Sequence, residues 1–290
     1  MITPKHVSFF ATLRSSGRAA LQWRLILLWL ITLLIPTLIV TLPFAKVFAS
    51  QLDYSVYAPE LTHHVTANAL SDVMGAVMMS SMVFQQAGLL AVIITLLLSP
   101  FLTGTVITAA RAQELLTMGK LVHGGISEYG RLFRLWIVML IPLGIAAGIG
   151  AAAMHWADLF GEKAILESEA DLASHAALAL LAVLLLIADA CADLGRAQFV
   201  FSTSRRSAFK AGWQGLKMLC KHPLIVLGQF ICITLIGLLI TGLLLVLRLN
   251  LDHASTLAFI IDLILTQLTV IAVIWMRSAR LFAMAAVGRV

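Results

Sequence analysis

Residues 175–198 read HAALALLAVLLLIADACADLGRAQ. This stretch carries no acid or base from Ala176 to Ala188, and two aspartates and an arginine follow near its end. A helix of roughly 20 apolar residues is long enough to cross the hydrocarbon core of a bilayer. We therefore predict a membrane span over residues 175–197.

Five further apolar runs of similar length occur along the chain. They lie at 25–47, 88–110, 135–156, 224–247 and 256–276. None of the six runs shows the alternation of polar and apolar residues that is typical of a membrane β-strand. The sequence predicts an all-α, polytopic membrane protein with six transmembrane helices and a single integral membrane domain over 1–290.

The composition agrees with burial in lipid. Of the 290 residues, 61% are hydrophobic and 12% are charged, whereas a soluble domain is roughly half apolar and a quarter charged. The first apolar run is longer than the h-region of a signal peptide, which has about 7–15 residues. We interpret it as an uncleaved anchor.

The basic residues indicate an orientation. They cluster in four stretches: Lys5, Arg14, Arg18 and Arg24; Arg111, Lys120, Arg131 and Arg134; Arg196, Arg205, Arg206, Lys210, Lys217 and Lys221; and Arg277, Arg280 and Arg289. The segments between these stretches are acidic. Because Lys and Arg concentrate in cytoplasmic segments, we predict that both termini are cytoplasmic. Orientation then explains the net charge of +6 without a nucleic-acid partner.

Three arginines mark an internal repeat. Arg111, Arg196 and Arg280 each end a returning span, at intervals of 85 and 84 residues, and Gly130 and Gly215 are also 85 residues apart. This spacing favours three hairpin repeats, although any protein built of hairpins places arginines at such ends. For Arg111 and Arg280 we expect side chains that extend to phosphate head groups.

Two segments between the spans have helical periodicity. Residues 204–221, with Ser204 as the N-cap, predict an interfacial helix with an apolar face and a basic face. Its basic residues are Arg205, Arg206, Lys210, Lys217 and Lys221. This helix either anchors the protein on anionic lipid head groups or docks a cytoplasmic partner subunit. A second amphipathic helix is predicted over Leu70–Met82.

Glycines and prolines suggest irregular places. The glycine-rich stretch 117–131 predicts a broken helix. Pro36, Pro100 and Pro142 lie near the middle of three spans, where kinks either frame a cavity at the midplane or are absorbed by the packing of the bundle. The small-residue pairs Gly144–Gly148 and Ala188–Ala192 predict close helix packing.

Asp189, Asp193 and Arg196 form the candidate intramembrane polar site. An ionised carboxylate in hydrocarbon costs about 2.5–3.5 kcal/mol and is usually paired or functional. Asp193 and Arg196 are one turn apart and can neutralise each other. Asp189 lies deeper and needs a partner on another helix, a wet cavity or a proton. No metal or cofactor site is expected, because no ligand spacing for a metal occurs.

The stretch Asp193-Leu-Gly-Arg196, the basic helix after it and Lys221-His-Pro223 resemble bacterial six-span inner-membrane proteins. These include the membrane domain found beside glycerophosphodiester phosphodiesterases. The resemblance covers about residues 189–240 and implies a fold type and a bacterial inner-membrane location, but no site residues. Export-type ABC permeases are similar in architecture only, and such a role requires a separate ATPase.

The sequence lacks catalytic motifs such as HExxH and Gly-x-Ser-x-Gly, so we expect no enzyme activity. The predicted function is a permease-like or lipid-handling transport component of the membrane. Two alternatives remain open at this point: a membrane scaffold or assembly factor for a complex, and an ABC permease subunit.

Overall fold

The computed structural model describes residues 9–52, 67–112, 114–164, 166–201, 207–251 and 256–288. These residues form nine helices and no strand. The helices are α1 (Phe9–Ala19), α2 (Trp23–Leu52), α3 (Ala67–Met79), α4 (Ser81–Arg111), α5 (Met118–Gly161), α6 (Glu167–Phe201), α7 (Ala208–Lys221), α8 (Pro223–Leu249) and α9 (Thr256–Val287).

Six of these helices are long and apolar enough to cross a membrane: α2, α4, α5, α6, α8 and α9. Each contains one of the six predicted spans. Lipid offers no hydrogen bonds to the backbone, so a spanning helix must satisfy its own polar groups. Side-chain hydroxyls in these helices are also satisfied within the helix. Those of Thr32, Thr234 and Thr269 each donate a hydrogen bond to the backbone carbonyl four residues earlier. The protein is a multi-pass integral membrane protein.

The chain forms two compact units. The first contains residues 1–22, 100–236 and 275–290, and the second contains residues 23–99 and 237–274. In the second unit, the rings of Phe44 and Phe84 stack with their centroids 4.2 Å apart. Arg248 of α8 binds Asp262 of α9 through two contacts of 2.6 and 3.2 Å.

In the first unit, three amphipathic segments pack against the ends of returning helices. The indole nitrogen of Trp275 in α9 donates to the carbonyl of Gly17 in α1 at 2.9 Å. Gly125 of α5 contacts Gly104 of α4, and Gly215 of α7 contacts Gly195 of α6. An amphipathic segment thus contacts a returning helix in three places, once through an indole hydrogen bond and twice through glycines.

The repeat does not hold residue by residue. A Cβ added to Gly215 would lie 2.7 Å from the backbone nitrogen of Gly195, whereas one added to Gly130 would meet nothing within 4 Å. Gly130 is exposed and Gly215 is buried. The predicted equivalence of these two glycines is therefore wrong, and the repeated feature is the pairing of elements.

The prediction of a broken helix over residues 117–131 is also wrong. Helix α5 runs without interruption from Met118 to Gly161. A Cβ on Gly124 would overlap the hydroxyl of Thr108, and one on Gly125 would lie 2.7 Å from the ring of Phe101. Close contact with α4 outweighs the weak helix propensity of glycine, which costs about 1 kcal/mol per residue.

The other special positions have mixed outcomes. Pro36, Pro100 and Pro142 lie inside continuous helices, and the predicted kinks and midplane cavity stay predictions. The predicted amphipathic helix over Leu70–Met82 is present as α3, but it ends at Met79 and α4 begins at Ser81.

The predicted close packing at Gly144–Gly148 is wrong within the described structure. A Cβ added to either glycine would meet nothing within 4 Å. By contrast, Ala188 and Ala192 of the second small-residue pair are buried, as predicted.

Candidate intramembrane charge cluster

The last third of α6 is buried on every side. Its buried residues are Ala188, Ala190, Cys191, Ala192, Asp193, Leu194, Gly195, Ala197, Phe199 and Val200. Most of these side chains are small, which lets neighbouring helices approach closely. The predicted polar site therefore lies on an enclosed segment of the first unit.

Asp193 forms the centre of the cluster. Its side chain is buried, and its Oδ1 accepts a hydrogen bond of 2.6 Å from Nη1 of Arg196, one turn later on α6. The predicted pair of Asp193 and Arg196 is thus confirmed. The other oxygen, Oδ2, lies 3.3 Å from Nε of Arg280, close enough for an ion pair but without hydrogen-bond geometry.

Asp189 finds its partner on another helix. Its Oδ2 lies 3.0 Å from Nη1 of Arg280 in α9, and 41% of its side chain remains exposed. Of the three possibilities given from the sequence, the partner on another helix is confirmed. The side chain of Asp193, in contrast, is only 5% exposed. Asp189 is therefore the accessible acid of the cluster.

Arg280 does not extend to the membrane surface. Only 10% of its side chain is exposed, and its guanidinium lies 4.5 Å above the ring of Phe230 in α8. The expectation that it reaches phosphate head groups is wrong, because two carboxylates of α6 and an aromatic face satisfy its charge inside the protein.

Arg111 likewise turns inward. Its Nη1 donates to Oε1 of Glu128 at 2.6 Å, and its Nη2 donates to the carbonyl of Phe199. Arg131 binds the same carboxylate at 3.0 Å and lies 4.8 Å above the ring of Phe199. The head-group expectation for Arg111 is therefore wrong too.

Sequence reasoning missed Glu128. Its side chain is buried and joins α4 to α5, yet no hydrophobic pattern identifies it. One signal was available: Glu128 is an acid in a basic segment, three residues before Arg131. Such spacing places both side chains on one helix face.

The sequence predicts no role for Arg277 beyond its place in the basic C-terminal segment. It is exposed, although Ile274 and Leu281, one turn away on either side, are buried. Arg277 lies one helical turn before Arg280 in α9. Among the described residues it forms no ion pair.

Two neutral polar side chains are also enclosed in the first unit. Gln229 of α8 and Ser278 of α9 are buried. The amide oxygen of Gln229 and the hydroxyl of Ser278 have no hydrogen-bond partner among the described residues. Both residues are close in sequence to members of the cluster. Gln229 immediately precedes Phe230, whose ring faces Arg280, and Ser278 lies two residues before Arg280.

A helix is present in the segment 204–221 as α7, and its place at the membrane interface stays a prediction. It begins at Ala208, and Ser207 rather than the predicted Ser204 is its N-cap, accepting from the backbone of Lys210 at 3.3 Å. Lys210, Lys217 and Lys221 are exposed. Ser204, Arg205 and Arg206 lie outside the described residues.

Helix α7 has three faces. Its small residues Ala211, Gly212 and Gly215 are buried, and Gly215 contacts α6. Phe209 and Trp213 are 65% and 61% exposed, and the three lysines occupy the remaining face. An apolar face and a basic face that are both free suit a helix in the head-group region.

The described residues contain no group of three or more His, Cys, Asp or Glu side chains that could hold a metal ion. The three cysteines are free: Cys191 is buried, Cys232 is partly buried and Cys220 is exposed. No family model, curated protein or solved structure matches the chain. The resemblance of residues 189–240 to bacterial six-span proteins accordingly stays a prediction.

The chemistry available at the cluster is electrostatic. It contains fixed charges of both signs, held in place by buried partners. The accessible groups are the carboxylate of Asp189 and the guanidinium of Arg277. Such groups can bind charged or hydrogen-bonding parts of a ligand.

Proposed function

We propose that the protein is a non-enzymatic transport component of its membrane, permease-like or lipid-handling, and that Asp189 contacts the transported group. The observation that carries this proposal is the half-exposed carboxylate of Asp189, held by Arg280 from another helix. Ionisable residues inside membrane spans often mark the path of a substrate or an ion.

The comparison of Asp189 with Asp193 supports this role. Both belong to α6, and both lie beside Arg280, but Asp193 is buried and has a second partner in Arg196. A purely structural carboxylate is expected to resemble Asp193. Asp189 instead combines a fixed position with accessible surface, which a substrate contact needs.

The test is a ligand screen followed by transport. Purified protein is heated in detergent with inorganic ions, amines, organic anions and short-chain lipids, and each ligand that raises the melting temperature is then offered to proteoliposomes. We expect uptake of such a ligand by the wild type, loss of uptake in Asp189→Asn, and retention in Asp262→Asn, which alters the ion pair of the second unit. Equal uptake by wild type and Asp189→Asn would remove Asp189 from the mechanism.

A scaffold function is the second candidate. It is favoured by Gly144 and Gly148, which form a small-residue face on α5. A Cβ added to either glycine would meet no described atom within 4 Å. Small residues at such spacing let membrane helices associate. If this face binds another chain, Gly148→Leu reduces co-purification or self-association in a native gel, whereas Gly130→Leu, at another open glycine, does not.

A further inference from the structure

The charge cluster has an accessible cation as well as an accessible anion. Arg277 lies in α9, three residues before Arg280, and its side chain is exposed while its neighbours Ile274, Leu281 and Met284 are buried. The guanidinium of Arg277 is therefore accessible, although the residues on the same helix face are buried. Asp189, the half-exposed acid, lies 3.0 Å from Arg280, which is one helical turn from Arg277 on the same helix.

The charges of the cluster do not balance. Asp189 and Asp193 are offset by Arg196 and Arg280 through contacts of 2.6 to 3.3 Å. Arg277 adds a fifth charge, and no described carboxylate pairs with it. An exposed guanidinium at the inner end of a predicted span is a suitable partner for an anionic group.

We propose that Arg277 and Asp189 form a binding site for a zwitterionic group, in which Arg277 binds an anionic oxygen and Asp189 binds an ammonium. Guanidinium groups bind carboxylate and phosphate in a two-pronged geometry. Asp189 is already fixed by Arg280, which leaves its exposed part for a second cation. This inference rests on the proposed function and names its substrate class.

Two kinds of molecule carry this chemistry: a free amino acid and the head group of an aminophospholipid. The experiment measures the affinity of the full-length protein in detergent by calorimetry for four probes. These are alanine, glycerophosphoethanolamine, a short-chain phosphatidylethanolamine, and glycerol phosphate, which lacks the ammonium. We expect at least one of the zwitterions to bind more tightly than glycerol phosphate, and the pattern among them identifies the source.

The variants assign the two charges. Arg277→Gln is expected to weaken zwitterion binding roughly tenfold or more, since a hydrogen bond to a charged group is lost, while Arg277→Lys retains part of the affinity. Asp189→Asn is expected to remove the preference for the ammonium. Arg134→Gln, at an exposed arginine of α5, serves as the matched control and leaves the affinity unchanged.

Two outcomes overturn the site: no zwitterion binds, or Arg277→Gln and Arg134→Gln bind it equally well. The proposed function fails separately. If a zwitterion binds through Arg277 but does not cross the bilayer of proteoliposomes, the site stands and transport does not. If Asp189→Asn abolishes transport of a ligand but Arg277→Gln does not affect it, the proposed transport function stands and this binding site does not.

Discussion

The carboxylate of Glu128 in α5 lies 2.6 Å from the guanidinium of Arg111 in α4. Only 7% of the glutamate side chain and 22% of the arginine side chain are exposed. Arg131 binds the same carboxylate from one turn later. Glu128 therefore binds two arginines. Its contact with Arg111 joins the end of α4 to the amphipathic first part of α5.

Removing the charge of Glu128 is expected to destabilise the protein strongly. Glu128→Gln leaves two enclosed arginines without a counter-ion, and breaking a buried pair in this way costs about 3–5 kcal/mol. The measurement is the free energy of unfolding in detergent. Glu114→Gln, at an exposed acid nearby, should change it by no more than about 0.5 kcal/mol. Similar values for both variants would contradict a stabilising role for the Glu128 contacts.

A second prediction concerns the contact between α6 and α7. A Cβ on Gly215 would lie 2.7 Å from the backbone nitrogen of Gly195, and the backbone cannot turn aside as a side chain can. Gly215→Ala should therefore destabilise the protein by about 1–3 kcal/mol.

The control is Gly130→Ala, because this glycine also lies inside a helix but faces open space. Alanine has the higher helix propensity, so this variant should be neutral or more stable by up to about 1 kcal/mol. Thermal unfolding of the two variants side by side measures the difference. Equal melting temperatures would show that α7 does not approach α6 this closely.

The sequence predicted the features that depend on composition or on one helix. The six spans follow from local hydrophobicity, because a length of apolar chain requires lipid whatever its neighbours are. The pair of Asp193 and Arg196 follows from helical geometry, since residues three apart share a face. Neither prediction requires knowledge of which helices touch.

The missed features all depend on which helices are neighbours. Arg111 and Arg280 were expected at the lipid surface, but acids on adjacent helices bind them instead. The glycines of α5 have low helix propensity, yet Gly124 and Gly125 are retained in a helix by contact with α4. A single sequence gives the local preference of each residue and not the partner that overrides it.

A third prediction concerns lipid binding by α7. Lys210, Lys217 and Lys221 are exposed beside the apolar face that contains Trp213. Each basic residue near an anionic surface contributes about 1 kcal/mol. Replacing all three lysines by Gln should therefore reduce the affinity for phosphatidylglycerol by roughly tenfold or more.

Native mass spectrometry of the purified protein, titrated with this lipid, gives the affinity. The control replaces two exposed lysines on the predicted outer side: Lys46, at the outer end of the first span, and Lys163, between α5 and α6. If the triple variant binds lipid normally but loses a protein that co-purifies with the wild type, α7 is a docking helix for a partner subunit instead.

The orientation of the chain leads to the last prediction, and the protein contains its own probe. Cys220 of α7 is exposed, whereas Cys191 is buried and Cys232 is partly buried within α8. With Cys191 and Cys232 replaced by Ala, a membrane-impermeant maleimide should label Cys220 in inside-out vesicles and not in sealed right-side-out vesicles. The physical reason is that basic segments such as α7 are retained on the cytoplasmic side.

Lys163→Cys in a cysteine-free background provides the opposite control, because this residue is exposed between α5 and α6 in an acidic segment. We expect it to react only in right-side-out vesicles. Labelling of both positions from the same side would contradict an odd number of membrane crossings between them. If instead Cys220 reacts only in right-side-out vesicles and Lys163→Cys only in inside-out vesicles, the six spans stand but the predicted orientation is reversed. The lysines of α7 would then lie away from the anionic inner leaflet.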